Sequence, residues 1–150
     1  MVNPAFFFRL TIFYLILTID MDSDELKRRT KDFAHRYIKL AMALPNTVLG
    51  KHIKGQLIRC STSVAANYRA TCIAQSKPEF ISKLSIVIEE VDETCFWLEF
   101  IIDEKLLPKN RVLPLFQEGC ELTSIFMSSR KTARGLKGSK INLNKIVNIQ

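Results

Sequence analysis

The chain has 150 residues, of which 47% are hydrophobic, with only 5 glycines and 5 prolines. This length holds one domain with one core, and the composition favours a compact helical protein over a disordered or all-β one. The formal net charge of +7 is unevenly distributed. Residues 21–75 carry ten basic and four acidic side chains, residues 76–129 carry five and ten, and residues 130–150 carry six and none. Such segregation suits a basic surface for nucleic acid or the meeting of oppositely charged faces between subunits.

The first 20 residues form an apolar extension that fits no standard targeting segment. The run is too short for a clear membrane span, Arg9 interrupts it, and it lacks the basic start and small-residue cleavage site of a signal peptide. Three interpretations stay open: a start codon assigned ahead of Met21, an additional helix or strand, and a membrane anchor. We divide the chain into this extension (1–20), a helical domain (21–135) and a basic mobile tail (136–150). We expect a cytoplasmic protein without a membrane partner.

Periodic apolar residues predict the first two helices. A first helix over residues 24–44 would begin with Ser23 as its N-cap and end before Pro45. A second helix over residues 47–74 would begin with Asn46 as its cap. Both helices repeat apolar positions in alternating steps of four and three residues, as expected for one buried face. The predicted buried positions are Leu26, Thr30, Phe33, Tyr37, Leu40 and Leu44 in the first helix, and Ile53, Leu57, Cys60, Val64, Asn67 and Thr71 in the second.

Two further helices complete the predicted fold. The third spans residues 77–106 and begins with a capping box, in which Ser76 and Glu79 bond each other's backbone. From residue 96 to residue 102 it is apolar on nearly every side, which indicates a surface covered by another subunit. The predicted subunit interface comprises Phe96, Trp97, Phe100 and Ile101. A fourth helix spans residues 112–133, and the short connections predict an all-α, antiparallel up-down-up-down four-helix bundle.

The sequence offers no recognisable catalytic or metal-binding constellation. Its four cysteines lack CxxC spacing and lie in apolar helical patterns, so we interpret them as reduced core residues of a cytosolic protein. They are Cys60, Cys72, Cys95 and Cys120. Neither His35 nor His52 completes the Glu-x-x-His spacing of helix-bundle metal sites, and no histidine lies within one helical turn of Ser61 or Ser63. We therefore predict a non-enzymatic protein without a cofactor, a metal or a small-molecule substrate.

Basic residues crowd the first helix and the start of the second. Between residues 27 and 39 only Asp32 interrupts the run. A solvated helix face and a nucleic-acid surface are both consistent with this pattern. In the second interpretation the contacts go to phosphates with little sequence readout, because no aromatic residue is interleaved for base stacking. The candidate nucleic-acid-binding residues are Lys27, Arg28, Arg29, Lys31, Arg36, Lys39, Lys51 and Lys54.

A second polar group is predicted between the second and third helices. Its members are Arg59, Asn67, Arg69, Glu90 and Glu93. The two arginines would pair with the two glutamates within or between subunits, because a buried charge needs a partner. Direct phosphate binding by the arginines is the alternative. Asn67 would fix the helix register through a buried hydrogen bond, or else contact a ligand.

Several of these segments resemble the four helix bundle protein family, also called the 23S rRNA intervening-sequence proteins. The resemblance runs from about Asp24 to Ala133, and it departs at Cys60, where serine is usual, and in the first twenty residues. The matching positions are Leu44-Pro45, Gln56–Arg59, Ser63–Arg69, Ser76, Glu79-Phe80, Lys83-Leu84, Glu90, Asp92-Glu93 and Trp97–Glu99.

The resemblance implies an antiparallel four-helix bundle that assembles as a ring, typically a pentamer. One branch of the family is encoded inside insertions in large-subunit rRNA genes. A related branch supplies the accessory protein of diversity-generating retroelements, which binds nucleic acid and a reverse transcriptase. We therefore expect a homo-oligomer that binds RNA or DNA. The alternatives are a protein-interaction scaffold or reverse transcriptase accessory subunit that binds no nucleic acid itself, and a hydrolase or nuclease with an unrecognised site.

Overall fold

The computed structural model describes residues 22–135, which form four α-helices and no β-strand. The helices are α1 (Ser23–Met42), α2 (Val48–Cys72), α3 (Lys77–Asp103) and α4 (Lys109–Ala133). The four predicted helices are therefore confirmed, and their ends differ from the predicted ends by no more than three residues. The apolar extension (1–20) and the basic tail (136–150) lie outside the described residues.

Two of the three predicted helix caps are wrong by one residue. α1 is capped at Asp22 instead of Ser23, and among the described residues the Asp22 side chain accepts no bond from the helix backbone. α2 is capped at Thr47 instead of Asn46, and the Thr47 hydroxyl accepts from the backbone N–H of Gly50 at 3.0 Å. A Cβ at Gly50 would lie 2.1 Å from the carbonyl oxygen of Pro45, so this tight entry into α2 requires glycine. Ser76 caps α3 as predicted, accepting from the N–H of Glu79 at 3.2 Å.

The C-terminus of α3 explains why this helix stops before the predicted residue 106. Lys105 has a positive φ of 51°, and the N–H groups of Lys105 and Leu106 donate back to the carbonyls of Ile102 and Ile101. This pair of bonds is the Schellman arrangement, which usually places glycine at the left-handed position. Because lysine occupies that position here, the sequence carried no visible stop signal.

The core lies along the facing sides of all four helices. Its largest fully buried side chains are Tyr37 and Phe33 of α1 and Phe126 of α4. Most predicted core positions are buried, but Asn67 is only half-buried and Tyr68 takes its place, with its ring centroid 5.2 Å from that of Phe126. The reason is geometric: a straight helix has 3.6 residues per turn, so a strict four-three alternation drifts off the buried face after a few turns.

Each helix packs against the next one in the chain, and α1 also contacts α4 less extensively. Three contacts mark these pairs: His52 lies against Trp97, Arg130 donates to Ser85, and Arg29 donates to Glu121. Among the described residues, no helix has an apolar stretch long enough to cross a membrane.

Candidate nucleic-acid interface

One side of α1 carries an exposed row of basic side chains. Arg28, Lys31, His35 and Lys39 are all solvent-exposed, and their spacing of three, four and four residues places them on one helix face. We call these four residues the outer face of α1. Arg28, His35 and Lys39 line a shallow surface cleft of about 480 Å³, together with Arg29, Arg36 and two carboxylates. The outer face therefore presents several cationic groups within one small area.

The arginines at the edge of this face are paired with α4. Arg29 donates to Oε2 of Glu121 at 2.5 Å, and Arg36 donates to Oε1 of Glu118. Arg29 also lies 3.8 Å from Glu118. Both acids come from a helix about eighty residues or more along the chain, so no local sequence pattern reveals the pairing. Two predicted phosphate ligands are thus largely neutralised within the subunit.

Glu118 is the more buried of the two acids in these ion pairs between α1 and α4. Its side chain is 10% exposed, and its second oxygen, Oε2, is buried with no hydrogen-bond partner in the described part of the chain. A buried carboxylate is stable only when cations offset its loss of hydration, and Arg29 and Arg36 supply that charge. These two arginines therefore have a structural role in joining α1 to α4.

The remaining six candidate cations differ in whether an acid of the same subunit lies beside them. Lys27 pairs with Asp24 at 2.8 Å, and this hydrogen bond raises the pKa of the lysine and lowers that of the carboxyl group. Arg28 lies 3.8 Å from Glu25 with a side chain that is 75% exposed, so it stays available to solvent. Across residues 22–135, no ion pair involves the other four candidate cations. They are Lys31, Lys39, Lys51 and Lys54.

The predicted polar group between α2 and α3 forms around Arg59 alone. Arg59 donates to Glu93 and, at 3.4 Å, to Glu90. The bond from Arg59 lowers the pKa of Glu93, whereas burial raises the pKa of Glu90 despite the same neighbour. Glu93 also accepts from the indole N–H of Trp97 at 3.3 Å, so this acid links Arg59 to the aromatic residues of α3.

Asn67 and Arg69 do not belong to that group. Arg69 is exposed and makes no ion pair with any described residue. The Asn67 side chain makes no hydrogen bond in residues 22–135, and only its backbone carbonyl accepts, from Thr71 at 2.8 Å. The expectation that Asn67 fixes the helix register is therefore wrong for the isolated subunit, because Tyr68 occupies the buried position.

An aromatic patch lies on α3 where a subunit interface was predicted. Phe96, Trp97 and Phe100 contact one another, with ring centroids 5.0 to 5.9 Å apart, and Trp97 contacts His52 of α2 at 5.4 Å. We call these four residues the aromatic patch. Phe96 and Phe100 are 47% and 38% exposed, which is high for large apolar side chains. Ile101 is fully buried in the core of its own subunit, so its assignment to a subunit interface is wrong.

The cysteines depart in part from the expectation that all are core residues. All four are free thiols; Cys60 and Cys95 are buried and Cys72 is half-buried, but Cys120 is exposed. In the described part of the chain, no group of three or more His, Cys, Asp or Glu residues is placed to hold a metal ion.

Four helices with a basic outer face on α1 define the class of this protein as an all-α helical bundle. The model of the 23S rRNA-intervening sequence protein family matches residues 24–128, and the chain belongs to that family. No curated protein matches the chain.

The fold also matches a crystal structure of a protein with unknown function from the S23 ribosomal protein family, from Bacteroides thetaiotaomicron. The two are 30% identical, with a TM-score of 0.65. The match covers 74% of this chain and 99% of the other. The sequence resemblance to the intervening-sequence family is thereby confirmed for most of the chain.

Proposed function

We propose that this protein is a non-enzymatic, cytoplasmic homo-oligomer that binds RNA or DNA through contacts to phosphates. The observation that supports this proposal is the outer face of α1. Arg28, Lys31 and Lys39 are exposed there, and within residues 22–135 no ion pair involves Lys31 or Lys39. Lysine and arginine bind phosphate without reading the base sequence, so little sequence specificity is expected.

The proposed binding surface differs from the set predicted by sequence. Arg29 pairs with Glu121 and Arg36 pairs with Glu118. We therefore assign the phosphate contacts to the outer face and a structural role in the contact between α1 and α4 to these two arginines. Lys51 is exposed and Lys54 half-buried at the start of α2, where they flank His52 of the aromatic patch. A single strand of RNA or DNA that reached this region could contact the two lysines through its phosphates and the aromatic patch through its bases.

The proposed subunit is an antiparallel up-down-up-down bundle. Interhelical contacts support this topology, because residue numbers rise on one helix as they fall on its neighbour. Along α1 and α4, Arg29 pairs with Glu121 and Arg36 with Glu118. Along α2 and α3, His52 contacts Trp97 and Arg59 pairs with Glu90.

The proposed assembly is a ring, a pentamer by resemblance to the family, in which α3 of one subunit contacts the next. The aromatic patch supplies apolar area, and three exposed carboxylates border it on α3. They are Asp92, Glu99 and Asp103. A ring would repeat the basic outer face around its circumference, so that weak phosphate contacts add up through multivalency.

A second candidate function is a protein-interaction scaffold, for example an accessory subunit of a reverse transcriptase. The aromatic patch favours it, because an exposed apolar surface with an acidic border suits a basic protein partner. In that case the charge segregation serves assembly alone, and no nucleic acid binds.

A binding titration tests the proposal. The full chain is titrated into labelled single-stranded RNA and labelled duplex DNA at low and at physiological salt, and binding is followed by fluorescence anisotropy. Binding that weakens steeply with salt supports phosphate recognition. If neither nucleic acid binds at low salt, the proposal fails and the scaffold becomes the better candidate.

A further inference from the structure

Cys95 of α3 packs against Gly119 of α4, the residue that precedes Cys120, and the proposed function uses neither cysteine. We propose that these two thiols form a peroxide-sensitive pair that closes into a disulfide joining α3 to α4. Four observations support the pair: the close approach of the Cys95 sulfur to α4, the mutual effect of the thiols on their ionisation, the difference in their exposure, and the position of the other two cysteines on α2.

The close approach depends on Gly119. A Cβ built at this glycine would lie 2.6 Å from Sγ of Cys95 and 3.2 Å from the hydroxyl of Tyr37. The Cys95 thiol thus rests against the backbone of α4, one residue before Cys120. Any larger residue at position 119 would push Cys95 away, so the glycine creates the space in which the two thiols meet.

The two thiols also influence each other's ionisation. The interaction with Cys95 lowers the pKa of Cys120 to about 7, and the interaction with Cys120 together with burial raises the pKa of Cys95. Burial and the carboxylates of Glu99 and Asp92 act against ionisation of Cys120, and the interaction with Cys95 outweighs them. The lowered pKa of Cys120 favours its thiolate, which is the nucleophilic form of cysteine.

The difference in exposure assigns a separate step to each thiol. Cys120 is exposed and can meet a small oxidant, whereas Cys95 is buried and cannot. The Cys120 thiolate attacks one oxygen of hydrogen peroxide, the O–O bond breaks, and Cys120 becomes a sulfenic acid as hydroxide leaves. The Cys95 sulfur then attacks the sulfenic sulfur, and water leaves with the proton of Cys95. Two thiols are thereby oxidised to one disulfide, and one peroxide is reduced to two waters.

The remaining cysteines provide internal controls. Cys60 is buried in α2, and burial raises its pKa to about 12, so it stays protonated and shielded from peroxide. Cys72 lies at the end of α2 beside Tyr68. Neither belongs to the seam between α3 and α4.

Mass spectrometry of the full chain tests the pair. The reduced protein is treated with hydrogen peroxide at neutral pH, remaining thiols are alkylated under denaturing conditions, and peptides are mapped. We expect the intact mass to fall by two hydrogens, alkylatable thiols to fall from four to two, and one peptide pair to link Cys95 with Cys120. Three results would overturn the proposal: no reaction of Cys95, sulfinic acid at Cys120 with Cys95 still free, or only disulfides between chains.

Three variants sharpen the test. In Cys95→Ser, the sulfenic acid at Cys120 has no partner, so a dimedone adduct should accumulate there; its absence would contradict the assigned order of steps. Cys72→Ser should form the same disulfide as the natural chain. Gly119→Ala should slow closure while Cys120 is still alkylated completely under denaturing conditions, with circular dichroism as the check on folding. Closure at an unchanged rate in a folded Gly119→Ala variant would contradict the assigned approach.

Discussion

Arg36 of α1 donates to one oxygen of Glu118 in α4, and the other oxygen of that carboxylate is buried and has no hydrogen-bond partner among residues 22–135. This relationship separates two kinds of basic residue on α1. Arg36 and Arg29 offset a buried negative charge, whereas Lys31 and Lys39 of the outer face make no ion pair among residues 22–135 and are proposed to meet phosphate. The same helix therefore pairs with α4 on one side and carries the proposed binding surface on the other.

Removing both arginines should destabilise the bundle. In an Arg29→Met, Arg36→Met variant, the aliphatic stems are kept but Glu118 is left with an uncompensated buried charge. We expect the free energy of unfolding to fall by about 1–3 kcal/mol, measured by urea denaturation. Adding Glu118→Gln should recover part of this loss, because the buried charge is then gone.

The matched control for that variant is Lys83→Met. Lys83 pairs with Glu79 four residues earlier at 2.9 Å, and both side chains are about one-third exposed. Such a pair contributes about 0.5 kcal/mol or less. Equal destabilisation by the control and the double variant would contradict a structural role for Arg29 and Arg36.

Stability should fall at alkaline pH, partly through Tyr37. Burial raises the pKa of Tyr37 well above its usual 10.0, and its hydroxyl donates to the carbonyl of Leu115 at 2.7 Å. The folded chain therefore holds this proton more tightly than the unfolded chain. The stabilisation is complete below about pH 10 and is lost as pH rises above it, by at most about 1.4 kcal/mol per pH unit.

The check is a series of urea denaturations from pH 7 to pH 11. Cys60 contributes to the same decline from a lower pH, because burial raises its pKa from 9.0 to about 12. Tyr37→Phe should lower stability at pH 7 by about 1 kcal/mol through the lost hydrogen bond and should flatten the decline above pH 10. An unchanged slope in this variant would rule out Tyr37 as a source of the pH dependence.

Substitutions in the aromatic patch should separate assembly from folding. Phe96 and Phe100 are partly exposed, so a Phe96→Ser, Phe100→Ser variant should keep its helical content but lose subunit association. Sedimentation velocity would report the change in mass. By contrast, Ile101→Ala empties space in the subunit core and should cost about 2–5 kcal/mol of stability. An unchanged oligomer in the double variant would remove the patch from the interface.

The sequence predicted the helices well because their apolar periods are long and regular. The caps and ends follow less directly from the sequence. Asn46 and Thr47 are both favoured N-cap residues, and Lys105 takes the left-handed position at which a glycine usually marks the end of a helix. The predicted core is wrong at Asn67. The mismatch between the seven-residue pattern and the 3.6-residue helical turn accumulates along α2, so the neighbouring Tyr68 is buried instead.

The candidate site was harder to predict because its charges are partnered across the fold. Glu118 and Glu121 neutralise two of the predicted cations from a distant helix, and no local pattern announces this. The approach of Cys95 to the backbone of α4 likewise depends on Gly119, and this role of the glycine is visible only in the packed pair of α3 and α4. Residue pairs between two helices can be identified only once the helices are packed together, whereas the exposed and buried faces of a single helix can be predicted from its sequence.

The most direct test of phosphate binding compares two charge variants with equal net charge. One is Arg28→Gln, Lys31→Gln, Lys39→Gln on the outer face; the other is Lys77→Gln, Lys109→Gln, Arg111→Gln, at exposed positions at the starts of α3 and α4. Affinity for labelled duplex DNA is measured across a salt series for the natural chain and both variants. We expect the outer-face variant to lose affinity and to reduce the slope of log K against log salt by about 2–3, while the control keeps the natural slope. Equal losses in the two variants would mean that net charge, and not the outer face of α1, determines binding.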